Sequence, residues 1–467
     1  MNTSVTRTLA MVGLIALMEP ISATMLFPFV YFMVKDFDPS DVEHIGLRAG
    51  LITTAFFIPQ MITTIPYGII SDRYGRKPIL LAGLIGSAVF LGLFGLSRSL
   101  PWAIASRALC GFFNGNSPIT RTVAGEIADR ANLNQGKVFA IFGLTGALGY
   151  VIGPMIGGAL AKPAELYGLR GPGNIFGIYP YLLPCLIGTL MILIVTIISL
   201  FLLEETNDRV LRKDPGGETA DEIQPLLPSS IESDSKRHGL LSRSMIAMMV
   251  SILFMCLHAI AFDEGLPVFL ASPSTTSPPV GLGFTSAQIA RTLSCMSPVL
   301  LLTQFVVYPM LSRYLPPLSL WRWSAAMYIL IYPLFSLLPG LTAPSAGYPA
   351  LWAVLMLIMT GRFAANVVAY TSMAVMLNQM SPPGKKGTTM GMAQTGMSLG
   401  RAVGPALGGM VWSWSLASGL PFPFDSHALF YFLTVLGCLQ GISSLWITKV
   451  ASVGASVGEA VEDGIEN

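Results

Sequence analysis

The sequence predicts an all-α polytopic membrane protein of twelve transmembrane helices in two pseudo-symmetric six-helix bundles, and three observations carry that prediction. The first is composition: 53% of the 467 residues are hydrophobic and 11% are charged, with a mean hydropathy of +0.65, against about 25% charged residues in an ordinary soluble domain. The second is segmentation. Apolar stretches bounded by charge, Pro and Gly fall at 8–34, 46–70, 79–97, 101–125, 137–161, 179–203, 242–270, 285–311, 319–339, 348–377, 387–412 and 427–448. A helix needs roughly 20 such residues to cross a bilayer. The third is repetition: GYVIGPMIGGAL, from Gly149 to Leu160, returns as GRAVGPALGGMV, from Gly400 to Val411, in the fifth stretch of each half. Backbone groups in lipid must be hydrogen-bonded within the segment, so apolar runs of this length read as helices and exclude a β-barrel.

The halves divide as 1–203 and 242–449, each a bundle, with a cytoplasmic tail at 450–467. Between them, 204–241 gathers acidic residues with Ser, Pro and Gly, and reads as a flexible polar linker. Internal repeats of this kind place a substrate cavity near the bilayer midplane, between the halves. Loops on the side of the N-terminus collect Arg73, Arg76, Lys77, Arg130, Lys137, Arg209, Arg212, Lys213 and others, whereas the opposite side collects only Lys35, Arg48, Arg98, Lys162 and Arg170. That bias puts both termini in the cytoplasm. The first stretch is long and lacks a small-residue exit, so it is read as a span and not a cleaved signal.

Several classes fall away. Net charge is +2 and no basic patch is interleaved with aromatics, which excludes nucleic acid as a partner. Cys110, Cys185, Cys256, Cys295 and Cys438 stand far apart in apolar runs and read as packing residues. No G-x-x-x-x-G-K-[ST] loop is present, so the expected energy source is a proton gradient, with no cofactor. A lipid-embedded monomer that binds a small-molecule substrate is expected.

The loop running from Gly68 through Asp72, Arg73, Gly75, Arg76 and Lys77 to Pro78 resembles the G-x-x-x-D-R-x-G-R-[RK] signature of the major facilitator superfamily, in the expected place between spans two and three. Gly68 permits close helix approach and Gly75 a tight turn. Asp72 is placed to hold a charged lock on the cytoplasmic rim, with Arg73, Arg76 and Lys77 anchoring the loop. The fifth span, with Gly149, Gly153, Pro154, Gly157 and Gly158, looks like the motif that marks drug:proton antiporters in that superfamily. Glycines at this spacing leave a smooth face for close packing and Pro154 loosens the backbone ladder, so a generic packing motif accounts for the same pattern. Arg107, Asn114 and Asn116, followed by Arg121 and Glu126, are similar to the family's arginine-bearing fourth helix. An arginine inside a span costs about 2.5 to 3.5 kcal/mol on insertion scales and faces a cavity or an acidic partner.

Finer likeness extends over nearly the whole chain. Glu19-Pro20-Ile21 followed by LFPFVYFMVKDF, then AKPAELYG, FDEGLPVFL and GLGFTSAQIARTL, resemble fungal multidrug-type facilitators and plant zinc-induced facilitator-like proteins. The cysteine and histidine signatures of the plant members are missing. With only His44, His238, His258 and His427 in the chain, zinc is a weak candidate substrate. The resemblance implies a major facilitator fold and a secondary transporter, not an enzyme.

Glu19, midway along the first span, is the first candidate for proton coupling, because a neutral carboxyl there can bind and release a proton as the cavity opens to each side. Its alternative role is a structural partner to Arg107, and Pro20 beside it suggests a local helix break. His258, Asp263 and Glu264 share the seventh span and suit proton exchange. The two carboxylates fit a rim salt bridge or gate equally well, and His258 alone fits packing. Arg362, Asn366 and Tyr370 recur at four-residue steps on one face of the tenth span. With Gln304, Gln394 and Arg401 they either line the cavity or bind helices to each other. Glu222, Leu226 and Leu227 form an acidic dileucine pattern of the kind sorting adaptors read, pointing to the vacuolar membrane, with the plasma membrane as the alternative. The leading expectation is export of small organic solutes or drugs by proton antiport through alternating access. Symport or uniport of a nutrient or metal ion, and a transport-dead membrane sensor, remain as alternatives.

Overall fold

Each apolar stretch becomes one helical pass, and the irregularities fall mostly where Pro or Gly interrupts the backbone ladder. The computed structural model describes residues 3–131, 135–168, 175–207, 242–274, 279–342, 348–380 and 386–447. The passes are α1 (Thr3–Thr24), α2 (Ile45–Tyr74), α3 (Arg76–Gly95), α4 in two pieces (Leu100–Phe113 and Asn116–Arg130), α5 (Gln135–Leu160) and α6 (Leu182–Leu202). The second half follows with α7 (Arg243–Ala271), α8 (Ser286–Leu311), α9 (Pro317–Phe335), α10 (Tyr348–Met380), α11 (Lys386–Ala417) and α12 (Ala428–Leu445). Among the described residues, eight passes are individually long and apolar enough to cross a membrane.

α1 runs unbroken through Pro20 and stops at Thr24, so the break expected at Pro20 is absent; the chain turns at Met25–Phe29, around Pro28, and resumes as Val30–Phe37. A proline is tolerated within a span when neighbouring helices and hydroxyl side chains support the backbone around it. Thr24 Oγ1, which lies 2.8 Å from both Pro20 O and Gly149 O, ties this turn of α1 to α5. α8 is interrupted twice, by a turn at Cys295–Met296 and by a π-helical Thr303–Val307.

Exposed isoleucines at 58, 62, 65 and 69 stripe α2, and Leu186, Leu190, Ile194, Ile197 and Phe201 stripe α6. Helical spacing lines each set up on one face. Unbroken apolar stripes on an outer surface are the signature of a lipid-facing wall.

The repeated glycines fix how the bundles are built. A Cβ on Gly153 would lie 2.0 Å from Thr24 Oγ1, and one on Gly157 2.0 Å from Met25 O, so α5 touches α1 backbone to backbone. In the second half Gly400, Gly404 and Gly408 face Cys256, Leu257 and Ala261 of α7 in the same way. The next residue in each helix turns to the other bundle: Gly158 meets Ala290 of α8, and Gly409 meets Gly46 O of α2.

Further contacts close the bundles at the face remote from the termini, here called distal. Gly46 packs on the Trp412 ring and Gly50 on Pro405 O, and Leu47 N donates to Ser413 Oγ at 2.9 Å. Nearer the termini, Gly68 of α2, Gly146 of α5 and Gly396 of α11 have, among the described residues, nothing within 4 Å of a Cβ position. The close approach expected of Gly68 is therefore not made in this conformation. The two bundles form a V, clamped distally and parted toward the face that carries both ends.

Candidate functional site

A cavity of about 230 Å³ lies at the junction of the two bundles. Helix α1 contributes Glu19 and Thr24, the turn after it Phe27, α2 Thr53 and Phe57, α4 Arg107, Ser117 and Arg121, α5 Tyr150, α7 Asp263 and Glu264, and α11 Arg401. Glu19 Oε1 accepts from Gln60 Nε2 at 2.8 Å, and the same amide reaches Asn114 O at 3.0 Å. Glu19 is thus tied to α2 and to the break in α4, not to Arg107.

Asp263 and Glu264, adjacent on α7, each reach a hydroxyl of the opposite bundle. Thr53 Oγ1 donates to Glu264 Oε2 at 2.9 Å, and Tyr150 Oη to Asp263 Oδ2 at 3.4 Å. Both carboxylates therefore belong to the cavity wall and cross-link the bundles, instead of forming a solvent-exposed rim. Behind Asp263 lies Arg362 of α10, fully buried, with Nη2 at 2.9 Å from Asp263 Oδ1 and donating to Ala259 O at 2.8 Å. The Phe262 ring covers its guanidinium at 4.3 Å. The pair is close but poorly aligned: among the described residues Asp263 Oδ1, like Arg362 Nε and Nη1, has no partner in hydrogen-bond geometry. Arg107 is 1% exposed, stacked over Phe56 at 4.5 Å, and its Nε finds no hydrogen-bond partner among the described residues.

The other sequence candidates separate from the cavity. His258 is buried inside the second bundle, with Nδ1 2.7 Å from Tyr332 Oη and Nε2 2.7 Å from Gln440 Oε1. Asn366 accepts from Tyr328 Oη at 3.2 Å, and Tyr370 Oη stands 4.0 Å from Cys256 Sγ. These contacts hold the bundle together. Asn116 Nδ2 donates to Leu80 O at 3.3 Å, while Gln394 borders a small extension of the site with Glu19, Gln60 and Arg401. Arg121, expected in the charged lock, instead lines the cavity, because it precedes Glu126 by more than a helical turn and so sits deeper.

The residues expected to form that lock make an ion-pair cluster at the termini face around Arg76, with its partners among the described residues all in the first bundle or the segment that follows α6. Its Nη1 lies 2.6 Å from Asp72 Oδ1 and its Nη2 3.1 Å from Glu126 Oε1, while Thr206 Oγ1 donates to Glu126 Oε2 at 2.6 Å. Arg73 is exposed beside Tyr74. Glu205, placed by sequence in the linker, folds back onto the start of α3: it accepts from Arg76 N at 2.9 Å and Lys77 N at 3.0 Å. Gly75, at φ +109°, leaves no room for a Cβ, which would come 2.5 Å from Glu205 Oε2. Asn207 Nδ2 adds a bond to Asp72 O at 2.8 Å. A carboxylate on free helix N–H groups also meets the positive end of the helix dipole. Glu205→Gln is expected to lower stability by about 0.5 to 2 kcal/mol, seen as a lower melting temperature of detergent-purified protein. Glu204→Gln, at an exposed ion pair with Arg7, is the neutral control.

The acidic residues that follow α6 sit opposite the basic loop before α3, and that charge match is the signal by which Glu205 was discoverable. Gln60 carries no comparable signal in the sequence. Glu222, Leu226 and Leu227 lie outside the described residues. Among the described residues no group of three or more His, Cys, Asp or Glu is placed to hold a metal ion.

Comparison with known proteins agrees with this geometry. The protein is similar to ZINC INDUCED FACILITATOR-LIKE 1 of Arabidopsis thaliana, 30% identical over 433 residues that cover 91% of this chain and 88% of the relative. It is 29% identical over 519 residues to the major facilitator superfamily multidrug transporter mfsB of Aspergillus fumigatus, covering 95% and 83% respectively. The crystal structure of a D-xylose–proton symporter superposes with a TM-score of 0.69 over 96% of this chain and 98% of its own, at 14% identity, which shows a shared fold. The sequence profile of the Major Facilitator Superfamily matches residues 12–405, so this chain is an integral, multi-pass membrane transporter that belongs to the Major Facilitator Superfamily.

Proposed function

We propose that the protein exports small organic solutes or drugs by proton antiport, with both termini in the cytoplasm and the vacuolar membrane as its site. The observation that supports it most is the position of Glu19: mid-helix, on the wall of a cavity shared by both bundles, and held by a neutral amide and not by a cation. A carboxyl in such a place gains or loses a proton according to which side the cavity faces. Proton and solute then compete for one space, and rocking of the bundles carries each in turn. The V open toward the termini is the state that receives solute from the cytoplasm. The resemblance to a named multidrug transporter supports export, and the Lys/Arg bias of the loops supports the orientation.

Purified protein in proteoliposomes under an imposed pH gradient tests this. Accumulation of a transported solute is expected to collapse with an uncoupler. Glu19→Gln is expected to reduce gradient-driven accumulation to that of protein-free liposomes while solute exchange at equal pH continues. Accumulation indifferent to the uncoupler would refute the proton-coupled reading.

A further inference from the structure

Arg121 of α4 and Arg401 of α11 face the central cavity from opposite bundles. Neither forms an ion pair among the described residues; Arg401 stands over the Phe57 ring at 5.8 Å, and Arg121 shares the cavity wall with Glu19. Two guanidiniums set opposite each other repel, and the repulsion is relieved only by negative charge between them. Deeper in the same cavity Arg107, almost wholly buried, holds an Nε without a hydrogen bond among the described residues. Asp263 is taken up by Arg362 behind the wall. Three arginines and two carboxylates, Glu19 and Glu264, therefore define the field of the cavity. The sum is +3 − 2 = +1 when both acids are ionised, and it rises when either takes a proton.

We propose that the transported solute carries an acidic group, carboxylate or phosphate, that sits between Arg121 and Arg401. The inference rests on the transport reading above and names the substrate class for that cavity. A guanidinium fork matches the paired oxygens of either group, and one fork is supplied by each bundle. The acidic group thus bridges the V on the side where the structure is parted, which favours closure around the solute. An amine on the same solute meets Glu19, so a zwitterion fits displacement of a proton from that carboxyl.

The test uses the full-length purified protein and four probes of similar size: 3-phenylpropionate, phenyl phosphate, phenylalanine and phenethylamine. At equal ionic strength the acidic probes are expected to raise the melting temperature above the effect of phenethylamine. Arg121→Gln and Arg401→Gln should each weaken the apparent affinity for them by about tenfold, whereas Arg121→Lys and Arg401→Lys, which keep the charge, should retain part of it. Either ranking of carboxylate against phosphate supports the site, and added affinity for phenylalanine over 3-phenylpropionate supports contact with Glu19. Acidic probes that stabilise no better than phenethylamine, or that act equally on the Gln variants, overturn the proposal. Glu19→Gln separates the two readings: it should bind acidic probes at least as tightly as the parent even where proton-driven transport is lost.

Discussion

Asp263→Asn is expected to destabilise the protein by about 3 to 5 kcal/mol, because it leaves a buried guanidinium without its counter-charge. Arg362 is 0% exposed and Asp263 5%, at 2.9 Å, and the other contacts of Arg362 are uncharged: the Ala259 carbonyl, the Phe262 and Phe363 rings and the Tyr332 hydroxyl. None neutralises it. The variant should lose monodispersity in detergent and melt well below the parent. Paired apolar replacement, Asp263→Leu with Arg362→Met, removes both charges together and should recover most of the loss. A single variant as stable as the parent would show that the pair carries no structural weight.

Gly158→Leu should produce the largest functional change, and by a different route. A Cβ there already lies 2.1 Å from Ala290 Cβ and 2.7 Å from Ser286 O, so a leucine side chain wedges α5 from α8 at the distal clamp. Overpacking of this sort costs about 1 to 3 kcal/mol. Here the strain is relieved when the clamp opens, so the cost falls on one conformation. Each 1.4 kcal/mol moves the balance about tenfold toward the distally open state. A cysteine at Ala23, on the cavity wall, in a background with Cys295 and Cys438 replaced by Ser, reports it through faster labelling from the distal side. Gly157→Ala is the contrast: its Cβ would meet Met25 O at 2.0 Å inside one bundle, so it should lower folding yield without changing that labelling. Equal labelling in Gly158→Leu and parent would disprove the clamp.

The passes were legible because a bilayer selects for length and apolarity, and both survive in the sequence. The second stretch, read as 46–70, is Ile45–Tyr74, and the seventh, read as 242–270, is Arg243–Ala271. Interruptions were less legible. The π-helical turn of α8 falls at Thr303 and Gln304 just before Pro309, a pattern that other spans carry without such a turn, and nothing in local composition chooses Pro28 over Pro20 as the break, because neighbouring helices decide which freed carbonyls are satisfied. Among site residues, intramembrane charge announced Glu19, Arg107, Asp263 and Glu264 as costly and therefore placed for a reason. Their partners were not announced. Asp263 finds Arg362 on α10 and Glu264 finds Thr53 on α2, pairings that depend on which helix faces converge. His258 follows the packing alternative, a titratable residue whose two ring nitrogens are both occupied within a bundle.

The neighbouring glycines 157 and 158, and their counterparts 408 and 409, have one more implication. Successive residues on an α-helix point about 100° apart, so α5 and α11 each offer two bearing surfaces, one packed on its own bundle and the other on the opposite bundle, and bundles that rock against each other would part only at the second. Assembly and turnover are thereby governed by adjacent codons. A change on the side facing its own bundle is expected to decide whether the molecule matures, and a change on the side facing the other bundle is expected to decide how often it cycles.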